Sequence, residues 1–317
     1  MVVVGHYFSS GGRTPPVPVN LSTGVWIFFV ISGYLITTIL LGEYERTDTI
    51  SLRQFYVRRA YRILPAAFVF MTLISVAYWH VFHWYNIVAM LLYLGNYDRT
   101  RPWMVGHLWS LGVEEQFYFL WPCVLRKWYR HRVAILLGVV AFAPIFRVFC
   151  YLLKIVAGGY PAFPAVADML AIGCLLAIFG DRIPRISPYA AVVMVLAVIL
   201  IPTMFNESTR ARTLLGLFVL YPLVFCSIAG IVLHVVQTPY FILNCAPVVW
   251  LGRLSYSLYL WQQPFFFDPV PRPAYRLLFG LSLACLSYYF VERPMLTMRE
   301  KLRKPALPPA HGPACAV

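Results

Sequence analysis

Apolar runs long enough to cross a bilayer recur along the whole 317-residue chain, each closed by a short polar interval. The pattern predicts spans at residues 23–41, 63–81, 107–125, 133–153, 165–179, 189–204, 214–236, 251–267 and 277–291. Residues 1–8 read as the end of a further span, too short to cross alone and without the basic start and cleavage pattern of a signal peptide. A Gly/Pro-rich loop follows over residues 9–20, and the polar interval 43–62 reads as a second loop. Residues 84–94 are apolar but short, the pattern of an interfacial or re-entrant helix. The expected fold class is all-α, a polytopic integral membrane bundle of about ten transmembrane helices whose first helix is truncated. Residues 1–304 are expected to form one transmembrane domain and 305–317 a flexible cytoplasmic tail, since no polar stretch is long enough for a soluble domain.

Composition supports this and excludes a water-soluble protein: 61% of residues are hydrophobic and only 12% charged. A net charge of +14 invites a nucleic-acid reading, but the distribution of the basic residues opposes it. They gather in the interval carrying Arg46, Arg53, Arg58, Arg59 and Arg62, in the run from Arg126 to Arg132, at Arg182 and Arg185, and in the tail after Glu292. These segments share one side if the short 84–94 helix does not cross, and the positive-inside rule makes that side the cytoplasm, with both termini there. The seven cysteines show no CxxC pairing and mostly lie in apolar segments, the pattern of packed thiols, so no metal site is expected. His80 and His83 read as interfacial histidines.

Candidate chemistry concentrates in the segment Gly106–Pro122, which places ionisable residues in an otherwise lipid-soluble helix. His107, Ser110, Leu111, Glu114, Tyr118 and Trp121 fall within a face roughly 100° wide, and Glu115 projects away from it. Glu114 lies about 10 Å deeper than His107. His6, near the same membrane face on the first helix, is positioned to meet Glu114, and a His–Glu pair can take a proton from a hydroxyl. The plainer readings are an interhelical hydrogen bond for Glu114 and an interfacial histidine for His6. Arg58, Arg59 and Arg62 suit a phosphorylated donor at the cytoplasmic mouth, or equally topology and anionic lipid contact. Asp168 is an intramembrane acid in need of a partner, and Arg147 in the preceding span is a candidate.

Several segments carry a resemblance. They are Gly24-Val-Trp-Ile-Phe-Phe-Val-Ile-Ser-Gly-Tyr-Leu-Ile-Thr37, Phe55–Pro65, His107–Pro122, Asp168-Met-Leu-Ala-Ile-Gly-Cys174, Leu251–Pro264 and Ser287-Tyr-Tyr-Phe-Val-Glu-Arg-Pro294. Together and in order, they resemble the membrane acyltransferase family 3, in its form without a fused extracytoplasmic domain. The resemblance implies an O-acyltransferase that moves an acyl group, usually acetyl, from acyl-coenzyme A to a hydroxyl of a cell-envelope glycan or similar acceptor. It implies acetyl-coenzyme A or another acyl-coenzyme A as donor substrate and no permanently bound cofactor. By the same resemblance His6 matches the proposed catalytic histidine, Glu114 the acid of the Trp-Ser-Leu-x-Val-Glu segment, and Arg58, Arg59 and Arg62 the donor-associated loop. Supporting roles fall to His107, Ser110, Tyr118 and Asp168. The chain departs from the family where Gln262 replaces a frequent histidine, Val166 a frequent arginine and Trp26 a frequent polar residue. An arginine common before the first-helix histidine is absent from this sequence. Expected partners are membrane lipids, a glycan or lipid-linked sugar and an envelope-biosynthesis protein, in a bacterial inner membrane. The alternatives are a transmembrane acyl carrier feeding a separate extracytoplasmic transferase, or a non-catalytic transporter-like protein.

Overall fold

The computed structural model describes residues 23–153, 162–203, 210–264 and 275–301, which leaves His6 and the 305–317 tail outside the described residues. Every regular element among the described residues is helical. The order is α1 (Thr23–Thr47), α2 (Leu52–Ala77), α3 (Trp84–Leu91), α4 (Leu108–Lys127), α5 (Arg132–Leu152), α6 (Phe163–Phe179) and α7 (Pro188–Thr203). There follow α8 (Arg210–Leu215), which passes through a π turn (Gly216–Leu220) into α9 (Tyr221–Gln237), then α10 (Phe241–Asn244) and α11 (Ala246–Trp261). Helix α12 (Tyr275–Ser287) likewise passes through a π turn (Tyr288–Glu292) into α13 (Arg293–Lys301).

Five helices among the described residues are long and apolar enough to cross a membrane: Thr23–Thr47, Leu52–Ala77, Tyr129–Leu152, Phe163–Arg182 and Arg212–Gln237. The all-helical membrane architecture therefore holds, with five such spans by length and composition among the described residues. Helix α7 is apolar but shorter, and its outward Val192, Val193, Leu196 and Leu200 have the exposure of lipid-facing positions. Helix α4 has 20 residues, but Glu114, Glu115 and Gln116 dilute its apolar character.

The interval expected as a loop at 43–62 is mostly helix. Helix α1 continues to Thr47, and α2 begins at Leu52 and runs unbroken through all three arginines and Pro65. The reason is local: arginine and glutamine are good helix formers, and the buried Phe55 and Ile63 flank the three arginines. The arginine stems lie along apolar surface while their heads remain polar, so a charged sequence need not be a loop. The turn between α1 and α2 is closed by Glu43, whose Oε1 accepts the Ser51 N–H at 2.8 Å and whose Oε2 accepts from Arg58 at 3.2 Å. Asp48 supplies the positive φ of 52° in that turn, a conformation its short polar side chain tolerates.

The most extensive helix pairing joins α1 to α6. A Cβ built on Gly33 would lie 2.1 Å from the Leu170 carbonyl oxygen, and one on Gly173 would lie 2.1 Å from that of Val30. Backbones approach this closely only where neither helix carries a side chain, the small-residue packing that replaces hydrophobic driving force between helices in lipid. Gly33→Ala is expected to push the two helices apart and destabilise the protein by about 1–3 kcal/mol, read as a lower melting temperature in detergent. An unchanged melting temperature would contradict the reported crossing. Helix α1 also packs on α4, which brings the face anticipated from sequence into the core.

Candidate functional site

The anticipated face of α4 is buried, and each polar residue on it has a partner from another helix. Ser32 of α1 donates a short hydrogen bond to Glu114 Oε1, and the Tyr118 hydroxyl donates to the same oxygen at 3.0 Å. The Tyr118 hydroxyl lies 3.3 Å from Ser32 Oγ, so the three groups close a triangle. One turn further along, the Trp121 indole donates to Thr37 of α1 at 2.9 Å. Glu114 Oε2 takes no hydrogen bond among the described residues and is the oxygen left for a proton-bearing partner. His6, the partner expected from sequence, lies outside the described residues.

The three arginines of α2 have different surroundings. Arg58 pairs with Glu43 at 3.2 Å, and Arg62 is exposed. Arg59 alone turns inward: its guanidinium lies 4.8 Å from the centroid of the Tyr118 ring and 5.8 Å from that of Phe55. Such cation–π contacts stabilise a charge where water is scarce. Tyr118 thus stands between a cation on its ring face and an acid on its hydroxyl.

At the other end of α4, about 16 Å from Tyr118 along the axis, the end of α11 is clamped to the helix start. The Tyr259 hydroxyl donates to the His107 carbonyl at 2.9 Å and forms a short hydrogen bond with Ser110 Oγ. Gln263 accepts the His107 N–H at 3.1 Å and donates to the Trp103 carbonyl. The His107 ring is buried, edge-on to Phe70 and Tyr259. Ser110 Oγ also lies 3.1 Å from the His107 carbonyl oxygen. His107 and Ser110 here hold two helices together.

Asp168 is placed elsewhere. It meets Arg147 of α5, as anticipated, with Nη2 2.5 Å from Oδ2. The same guanidinium donates to the Ala165 carbonyl at 2.9 Å and to the Leu217 carbonyl at 2.9 Å. Leu217 lies in the π turn before α9, so Arg147 ties three helical segments around one buried acid. That arrangement is a structural joint among α5, α6 and the π turn before α9.

Ser32, Thr37, Tyr259 and Gln263 were not singled out by sequence. Ser32 and Thr37 are buried hydroxyls inside the apolar α1, and polar side chains in a spanning helix ordinarily face the bundle interior. That rule was the available signal. Glu115, read as turned away from the face, is partly buried with Oε1 unpartnered among the described residues.

Chemically, a carboxylate fixed through one oxygen by two hydroxyls, with the other oxygen open, can orient and charge-stabilise an imidazole that accepts a proton. A cation a few ångströms away can hold an anionic substrate group. Comparison with known proteins points to a chemistry of that kind. A family model described as an acyltransferase domain matches residues 1–290. A peptidoglycan O-acetyltransferase of Listeria monocytogenes is 27% identical over 86% of this chain and 51% of its own length. A Bacillus subtilis protein named provisionally as a peptidoglycan O-acetyltransferase is 27% identical over 86% of this chain and 50% of its own. A Staphylococcus aureus protein named provisionally as an O-acetyltransferase is 28% identical over 86% and 52%. The chain spans about half the length of the curated relatives it matches. No solved structure matches it.

Proposed function

Because this chain belongs to the membrane acyltransferase 3 family, we propose that it is an integral membrane O-acetyltransferase acting on a cell-wall glycan, with acetyl-coenzyme A as donor. The observation that carries the reading is the buried Glu114, held by Ser32 and Tyr118 and open at its second oxygen. Donor phosphates engage the arginine end of α2, and the thioester arm enters beside Tyr118. His6 takes the proton of an acceptor hydroxyl, whose oxygen attacks the thioester carbonyl. The C–S bond breaks, and the coenzyme A thiolate leaves and is protonated. Glu114 stabilises the imidazolium formed at His6, and Tyr118 positions the arm or donates to the developing oxyanion. The peptidoglycan named for the relatives is the acceptor proposed here. The one-sided distribution of basic residues supports an orientation with the arginine end and both termini on the cytoplasmic side of a bacterial plasma membrane.

The test is reconstitution of the purified chain in proteoliposomes with labelled acetyl-coenzyme A and glycan, with the O-acetyl ester read by mass spectrometry. Ester formation by the chain alone supports the reading. A folded protein that moves label across the membrane but forms no ester would favour an acyl carrier instead.

The three arginines are expected to differ in weight. Arg59→Ala should raise KM for acetyl-coenzyme A roughly 10- to 100-fold, the effect of removing a hydrogen-bonded charge from a phosphate. Arg58→Ala, which frees Glu43, should change it far less. Equal effects at both positions would argue for a diffuse electrostatic surface, not an Arg59-centred donor site.

A further inference from the structure

The residue that closes α11, Gln262, carries a group that the proposed mechanism does not use. Gln262 is buried, with 3% of its surface exposed, yet both Oε1 and Nε2 lack a hydrogen-bond partner among the described residues. The adjacent Trp261, 5% exposed, buries its indole Nε1 in the same condition. A buried amide left unpaired costs about 1–3 kcal/mol, so a fold would ordinarily fill this position with an apolar residue. Gln263, its neighbour, shows the contrast: its amide is used on both sides, by the His107 N–H and the Trp103 carbonyl.

Gln262 keeps helical backbone angles, φ −68° and ψ −45°, so it stands three residues on from Tyr259 and shares its side of α11. Tyr259 is the residue bound to Ser110 and to the His107 carbonyl. The unpaired amide therefore sits at the His107 end of the polar face that leads, through Ser110, to Glu114. This is the end opposite the Arg59 charge.

We propose that the Gln262 carboxamide and the Trp261 indole N–H form the polar end of an acceptor subsite that binds the acetamido group of an N-acetylated amino sugar. A carboxamide offers one acceptor and two donors, and a secondary amide offers one donor and one acceptor. The two pair through both atoms, and the indole supplies a second donor to the acetamido carbonyl. Phe70, whose ring stands edge-on to Trp261 with centroids 5.2 Å apart, is the apolar neighbour available to the methyl group. The proposal rests on the acetyl-transfer reading above and adds where and by what group the acceptor is recognised.

The test is binding, with the full chain in lipid nanodiscs titrated with a disaccharide of N-acetylglucosamine and N-acetylmuramic acid, and with coenzyme A. Gln262→Leu should weaken disaccharide binding by at least about tenfold, leave coenzyme A binding unchanged and keep the melting temperature at or above that of the parent. The de-N-acetylated disaccharide should bind the parent about tenfold more weakly, and Gln262→Leu should no longer distinguish the two sugars. Disaccharide binding unaffected by Gln262→Leu, the result expected if the amide only holds a structural water, overturns the proposal. So does loss of coenzyme A binding in its place, or failure of the parent to bind the disaccharide. The acetyl-transfer reading is tested separately by ester formation, so disaccharide binding without any transfer overturns that reading and leaves the subsite standing.

Discussion

Glu114→Gln is expected to leave the protein folded and inserted while slowing acetyl transfer to a glycan hydroxyl by about 100- to 10,000-fold. The substitution changes little sterically. Its carboxamide oxygen can still accept from Ser32 and Tyr118, so the triangle that joins α1 to α4 is kept. What it removes is the negative charge that the proposed mechanism sets against the His6 imidazolium, since an amide carries no charge to stabilise it. His6→Ala should fall in the same range, and the double variant should be little worse than either single one, because two residues acting on one proton are strongly non-additive. Rates of label transfer in proteoliposomes, normalised to folded protein by size-exclusion profile, provide the measurement. Near-parental turnover in Glu114→Gln would remove this residue from the mechanism and leave an interhelical hydrogen bond as its role.

Arg147→Leu is expected to give the largest loss of stability, about 3–5 kcal/mol. The guanidinium neutralises Asp168, which is fully buried, and caps the Ala165 and Leu217 carbonyls. Removing it strands a charge and two backbone acceptors in a low-dielectric interior. The double variant Arg147→Leu with Asp168→Leu removes both charges together and should regain most of the melting temperature, because an apolar pair of similar volume often matches a buried ion pair. If the double variant is no more stable than Arg147→Leu, the joint is held by the carbonyl contacts rather than by the ion pair.

The sequence made the α4 face legible because helical periodicity is set within one segment. His107, Ser110, Glu114, Tyr118 and Trp121 needed only their spacing to be placed together. The Arg147–Asp168 pair was legible for another reason: a buried acid in an apolar span demands a cation, and few were available. Ser32 was harder to see. Nothing in α1 alone says which helix its hydroxyl meets, since that depends on the crossing set by Gly33 and Gly173. The extent of α2 was missed because charge density was read as loop, although arginine favours helix and its long stem lets the head reach polar surroundings. The differing environments of Arg58, Arg59 and Arg62 follow from Glu43 and Tyr118, residues on two other helices.

The crossing of α1 and α6 also has a mechanical side. With carbonyls meeting glycine Cα atoms in both directions, neither helix can slide or roll on the other without collision, so the two move as one plank. Helix α4 is tied to that plank by two polar rivets, Ser32 to Glu114 and Thr37 to Trp121. Any opening wide enough to admit a long substrate arm between α4 and the plank has to shear both at once. An arm that enters beside Tyr118 without parting these helices leaves both rivets intact and Glu114 in the orientation that Ser32 and Tyr118 impose.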